Sequence, residues 1–186
     1  MAIHPELLVR QIKALGLERS NDELSVATLR DDLRSSNANV AVSAVLGLTR
    51  IGTDQAVEAL IDCLEMKPGP ALTMAASSLR KLRSRRAVPS LIRCLETRDD
   101  ELRDGQKRLL ILALGEMPHV SEVPVLSAAL RHRSYGMRSA AAWALAQIRA
   151  PESSTALEAA SNELSWFRAL PVRRGLRVRR RRADHG

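Results

Sequence analysis

Four stretches of this chain, Gly47 to Glu65, Ser78 to Glu96, Ala113 to Arg131 and Ala144 to Asn162, superpose without gaps at offsets of 31, 35 and 31 residues. So short a period fixes the architecture before any single motif is weighed. A unit of this size cannot bury an apolar face alone and must stack against its copies. Matching positions carry matching chemistry. Leu48, Leu79, Leu114 and Leu145 fall together, then Ile51, Leu82, Met117 and Ile148, then Leu60, Leu91, Leu126 and Leu157. A fifth copy lies upstream, where Val26, Leu29, Leu33 and Leu17 precede Val57, Leu60, Leu64 and Leu48 by 31 residues each.

Within each unit the apolar residues recur twice at helical spacing with a break between, which reads as two antiparallel helices. Val57, Leu60, Ile61 and Leu64 form one stripe, and Val88, Leu91, Ile92 and Leu95 repeat it. The spacing i, i+3, i+4, i+7 buries one helical face and leaves the other in solvent. The pattern predicts helices near 5–18 and 22–34, 37–51 and 54–66, 70–83 and 86–97, 100–117 and 121–132, and 135–149 and 153–167. Gly52, Pro68, Pro70, Pro118 and Pro151 interrupt the pattern where helices should end. Asp54, Ser84, Ser121 and Ser153 stand near the starts of second helices as candidate caps, and Pro89 and Pro124 fall in first turns, where a missing N–H costs little.

These residues resemble the HEAT-repeat family, and in particular the short HEAT-like units of phycobilisome lyase-type proteins. The resemblance is carried by Leu-x-x-Ile-Gly-x-x-x-Ala-Val-x-x-Leu-Ile-x-x-Leu from Leu48 to Leu64, by Ala-Val-Pro-Ser-Leu-Ile-Arg-Cys-Leu at 87–95, and by Arg-Ser-Ala-Ala-Ala-Trp-Ala-Leu at 138–145. It implies an all-α fold, an α-solenoid of about five helix pairs wound into a right-handed curved array. Residues 1–167 would form that array, and the Arg-rich stretch 168–186 would be a tail, irregular or only weakly ordered.

The formal charge of +8 at pH 7 resembles a nucleic-acid signature until it is located along the chain. Residues 168–186 hold eight arginines against Asp184, whereas residues 1–167 are nearly balanced. Composition therefore supports a basic arm and not a basic groove. With 25 arginines to four lysines, an arginine bias of the whole chain accounts for part of that run. The longest apolar stretch, Leu109 to Gly115, is far short of the roughly 20 residues that span a bilayer. The N-terminus shows no secretory pattern, which points to the cytoplasm. Cys63 and Cys94 occupy the same position in neighbouring units. Equivalent points on stacked helices lie roughly 8 to 10 Å apart, beyond the roughly 7 Å Cα limit of a disulfide, so free thiols are expected.

No reactive constellation emerges. His4, His119, His132 and His185 stand apart from Glu, Asp or Cys at ligand spacing, and the His-Glu pairs of iron-binding HEAT enzymes do not occur. Phosphate loops, Cys-x-x-Cys and Gly-x-Ser-x-Gly are missing from the sequence, so neither a cofactor nor a catalytic residue is assigned. Asp99-Asp100-Glu101 falls where a helix should begin, with dipole stabilisation as its role. Trp143 reads as core, and Trp166 and Phe167 as a cover for the end of the core.

What remains is surface. In the resembled families the second helix of each pair lines the concave face, which would carry Asp31, Asp32, Asp62, Cys63, Arg93, Cys94, Ala128, Ala129, Ala159 and Ala160. A protein partner is expected there, with Asp31, Asp32, Asp62 and Arg93 as its charged contacts, and the chain reads as a non-enzymatic interaction scaffold. Arg80, Lys81, Arg83, Arg85 and Arg86 form a candidate basic edge. Arg173, Arg174, Arg177, Arg179, Arg180, Arg181 and Arg182 form a candidate polyanion arm for nucleic acid. If all eight terminal arginines met phosphates, the salt dependence would approach a log–log slope of roughly −7 on duplex DNA. The resemblance also implies a third reading, a chromophore-handling subunit of the bilin lyase kind.

Overall fold

The computed structural model describes residues 23–66, 68–165 and 168–183; the expected helix near 5–18 lies outside them, as do Trp166 and Phe167. Among the described residues there are ten α-helices and no strand, the all-helical content of an α-solenoid. The chain divides into two compact units, Met1–Ser84 and Arg85–Gly186.

The first unit holds α1 (Glu23–Asp32), α2 (Ala38–Ile51), α3 (Asp54–Glu65) and α4 (Pro70–Leu82). α2 packs on α4 and α1 on α3, so the helices form two layers, and each helix also touches its successor. Local chemistry sets the joints. Asn37 starts α2 by accepting from the Asn39 amide at 3.0 Å. Gly52 ends it at φ 63, donating its N–H to Leu48 O at 3.0 Å. That left-handed turn favours glycine, which has no Cβ to collide with the backbone. The cap of α3 is Thr53 rather than Asp54, its hydroxyl accepting from the Ala56 amide at 3.3 Å. Arg83 closes α4 at φ 50 without being a glycine, a conformation that costs an L-residue roughly 1 to 2 kcal/mol.

The second unit holds α5 (Val88–Thr97), α6 (Asp104–Gly115), α7 (Val123–Ala129), α8 (Tyr135–Gln147), α9 (Pro151–Glu163) and α10 (Leu170–Ala183), with 3-10 turns at Arg85–Ala87 and Val120–Glu122. α6, α8 and α10 lie side by side in one layer and α5, α7 and α9 in the other. Pro89 and Pro124 occupy first helical turns as expected. The aligned leucines are the core of both units: Leu48, Leu60 and Leu79 in the first, and Leu91, Leu114, Leu126, Leu145 and Leu157 in the second, are all 0% exposed. Val26, Leu29 and Leu33, the upstream copy, are buried as well.

Three expectations need correction. α6 begins at Asp104 and not near 100, because the Gln106 side chain accepts from the Arg103 amide at 3.1 Å and fixes the start there. Asp99, Asp100 and Glu101 therefore lie in a turn before the helix, where Asp99 pairs with Lys107 and Glu101 with Arg98. Ser153 does not cap α9 as an acceptor; its hydroxyl donates to Ile148 O at 2.9 Å and Ala150 O at 2.8 Å.

The largest correction concerns the C-terminal stretch, which is helical over Leu170–Ala183 instead of irregular. α10 packs on α8 as α8 packs on α6, and so adds one more first-layer helix. Its inward face is built from Ala169, Val172 and Gly175, all buried, together with half-buried Leu176. A Cβ on Gly175 would stand 2.7 Å from Ala142 O, so the backbones of α10 and α8 come close at this point. Arg179 fastens the far end, donating to Ala150 O at 2.8 Å and Ser153 Oγ at 2.6 Å, and also to Ile148 O.

Candidate interaction surfaces

The acidic residues expected on the second helices are distributed unevenly. Asp31 is exposed on α1 with Arg34 Nη1 at 3.7 Å, and Asp32 is half-buried. Asp62 on α3 is engaged within the unit, since Arg30 of α1 donates through Nε to Asp62 Oδ2 at 3.0 Å and adds a second contact from Nη2. The pair straps two neighbouring second helices. Arg131, in the turn after α7, likewise reaches the end of α9, Nε to Glu163 Oε2 at 2.9 Å. Arg93 is exposed on α5 in the other unit. Cys63, Cys94 and Ala160 are buried and leave the candidate surface altogether, whereas Ala128 is exposed and Ala129 and Ala159 are half-buried. Both cysteines are free thiols, and burial pushes the Cys63 thiol up to about 11, which leaves it protonated and inert at neutral pH.

The basic edge is likewise divided. Arg80, Lys81 and Arg83 end the first unit, with Arg80 Nε buried and without a hydrogen-bond partner and with Lys81 and Arg83 exposed. Arg85 and Arg86 are exposed on the turn that opens the second unit.

The arginines of α10 separate by face. Arg173, Arg174 and Arg177 are exposed, at the i, i+1 and i+4 spacing that gathers them on one side of the helix. Arg179 is taken from the candidate arm, because its guanidinium is consumed by the Ile148–Ser153 joint. The side chains of Arg180, Arg181 and Arg182 lie outside the described residues.

Three charged groups that sequence reasoning passed over are buried in the second unit. Arg138, only 4% exposed, donates to the carbonyls of Arg168 at 3.2 Å, His132 at 2.9 Å and Arg133 at 2.7 Å. Burial, and then the nearby Arg168 charge, lower its pKa, yet the three carbonyls hold the cation. Lys107, 7% exposed, extends its ammonium to Asp99. Glu122 is 0% exposed. The signal for all three was the repeat register: Lys107 and Arg138 occupy the position held by Ala41, Leu72 and Ala169, and Glu122 the position held by Ala56 and Ala87. Among the described residues no group of three His, Cys, Asp or Glu side chains is placed to hold a metal ion. His119 Nδ1 instead accepts from the Ser121 amide at 3.2 Å, and His132 Nδ1 from the Ser134 amide at 3.1 Å.

Within each unit the helices form two layers, each packed on its equivalent in the neighbouring pair, and this agrees with what a family comparison returns: the model for HEAT repeats matches residues 26–106 and 104–170. The chain belongs to the HEAT-repeat family. The match is to HEAT repeats in general and carries no finer assignment to phycobilisome lyases. No curated protein matches the chain. Among the described residues, no helix of this HEAT-repeat protein is long and apolar enough to cross a membrane.

Proposed function

We propose that this HEAT-repeat chain is a non-enzymatic scaffold that docks a protein partner on the face of its second helices. Repeat arrays of this family generally serve protein interaction, and their regular layers offer an extended surface rather than a reactive cleft. The observation that carries the reading is on α1, which holds the Asp31 carboxylate outward beside the Arg30–Asp62 strap. A partner with a basic helix or loop matches that surface. On this reading the scaffold works in the cytoplasm, where Cys63 and Cys94 remain thiols. The test is affinity capture followed by titration of the purified partner against wild type and Asp31→Arg/Asp32→Arg. The reversal should weaken binding about tenfold or more, chiefly through a slower, salt-sensitive association rate, with stability unchanged. Equal association kinetics in the two proteins would overturn the proposal.

A second reading, association with nucleic acid through α10, is favoured by one observation: Arg173, Arg174 and Arg177 project from one exposed face of a helix without any acidic residue. Three phosphate contacts give a log–log salt slope of about −3 on duplex DNA. Only these three are counted, because Arg179 and Arg168 spend their guanidinium groups on backbone carbonyls and the side chains of Arg180, Arg181 and Arg182 lie outside the described residues. A fluorescence anisotropy titration across salt reads the slope directly. Affinity that ignores salt, or survives charge reversal of all three arginines, would exclude this reading.

A further inference from the structure

The repeat register places one position at the entrance of each second helix inside the packed layers. Ala56, Ala87, Glu122 and Ser153 occupy it in successive units, and each is 0% exposed. Two copies fill the slot with a methyl group. Ser153 fills it with a hydroxyl that donates to Ile148 O and Ala150 O. In the remaining copy a carboxyl occupies the slot, and neither of its oxygens has a hydrogen-bond partner. A carboxylate in such a place is penalised far more than a carboxylic acid, because desolvation falls on the charged form.

The surroundings offer little relief. α7, which follows directly from the Val120–Glu122 turn and packs on it, carries no charged residue. On the α7 neighbour α8, the charged side chain is Arg138, tied to the carbonyls of 132, 133 and 168. The His119 ring is engaged with Ser121 Oγ at 2.8 Å, and only its backbone amide acts on the carboxyl. Exposed Arg85, on the other 3-10 turn of the same unit, acts through its charge without a direct bond. Burial accordingly pushes Glu122 up to about 8 from an ordinary 4.5, against the smaller downward pulls of the His119 amide and Arg85.

We propose that Glu122 is a proton-gated latch on the joint between α6 and α7: the protonated side chain stays in the alanine slot and holds the Val120–Glu122 turn closed, whereas the ionised one favours release of the turn to solvent. The sign follows from the folded value lying above the unfolded one. Protonation stabilises the closed turn fully below about 4.5, and that contribution is lost progressively as pH rises to about 8, beyond which the closed and open forms are both ionised and the loss levels off. Arg85 sets the upper limit, because its positive charge lowers the pH at which the closed carboxyl ionises.

The experiment is amide hydrogen exchange by mass spectrometry across 117–130, from pH 5 to 9.5, on the full chain and Glu122→Gln; taking the ratio of the two cancels the intrinsic pH dependence of exchange. Wild-type opening relative to the variant should rise up to about tenfold per pH unit and flatten above pH 8. In Arg85→Ala the plateau should move to higher pH. Should Glu122→Gln fold poorly, Glu122→Ala, which restores the residue of the first two slots, serves as the reference. Infrared difference spectroscopy of the wild type would then detect the protonated acid at neutral pH. A wild-type-to-variant ratio independent of pH, or an ionised Glu122 at pH 6, would overturn the latch.

Discussion

Alanine in place of glycine at two helical positions should move stability in opposite directions, because a methyl group meets open space at one and a neighbouring backbone at the other. Gly105, in the first turn of α6, has nothing within 4 Å of the Cβ it lacks. There the substitution brings the helix preference of alanine, about 1 kcal/mol at a helix interior and less in a first turn. At Gly175 the same methyl meets Ala142 O at 2.7 Å and Ala142 Cβ at 3.2 Å, which are parts of a rigid neighbouring helix and not the end of a flexible side chain. α10 must move outward by several tenths of an ångström. That movement loosens the seat of Val172 and stretches the Arg179 bonds to Ala150 O and Ser153 Oγ, now 2.8 and 2.6 Å. Overpacking of this kind costs roughly 1 to 3 kcal/mol. After the propensity gain is set against it, Gly175→Ala should still be less stable than Gly105→Ala by about 2 kcal/mol. Urea unfolding followed by circular dichroism measures the difference, and the rate of tryptic cleavage within 173–182 reports separately whether α10 has left α8. If the two variants unfold at the same urea concentration and α10 is cleaved no faster, the close backbone approach does not hold this helix.

Deletion of 168–186 should lower the melting temperature by several degrees and expose apolar surface of α8, because Ala169 and Val172 are fully buried; an unchanged transition would show that α10 adds nothing to the fold. Leu91→Ala empties a fully buried site and should cost about 2 to 5 kcal/mol in the same urea assay. Arg138→Met keeps the side-chain volume but leaves three carbonyls without their donor, a loss of roughly 2 to 4 kcal/mol that Arg138→Lys should recover only in part. Cys63, with its thiol pushed up to about 11, should resist a thiol-specific reagent at pH 8 in the native chain and react promptly in urea.

The repeat was legible because large apolar side chains mark it: the described leucines aligned with Leu48 and with Leu60 are all buried, and the helix boundaries of the described pairs fall within a few residues of the periodic pattern. α10 was not legible for the same reason. Its inward face sets only Val172 and Leu176 beside Ala169, Gly175 and one arginine, so neither a long apolar stripe nor a favourable charge balance announces it. Lys107, Arg138 and Glu122 escaped because a helical wheel sends charge to solvent. Only the register, comparing Glu122 with Ala56 and Lys107 with Leu72, places them inside. That the candidate surfaces carry charge is plain from the sequence. Which charges are already engaged, as Asp62 is with Arg30 and Arg179 with the 148–153 joint, depends on distances between neighbouring helices that spacing along the chain does not encode.

The two sides of α10 also bear on how copies of this chain meet one another. A layer of parallel helices is an open template, and an uncovered apolar helix face would invite the same face of another molecule. On α10 the apolar side is spent against α8, and Arg173, Arg174 and Arg177 look outward. Two molecules approaching on that side bring like charges together within the roughly 8 Å over which physiological salt leaves them unscreened. Added salt should therefore promote self-association through this face rather than dissolve it. Replacing the three arginines with leucine would turn a repelling face into one that can join molecules through α10.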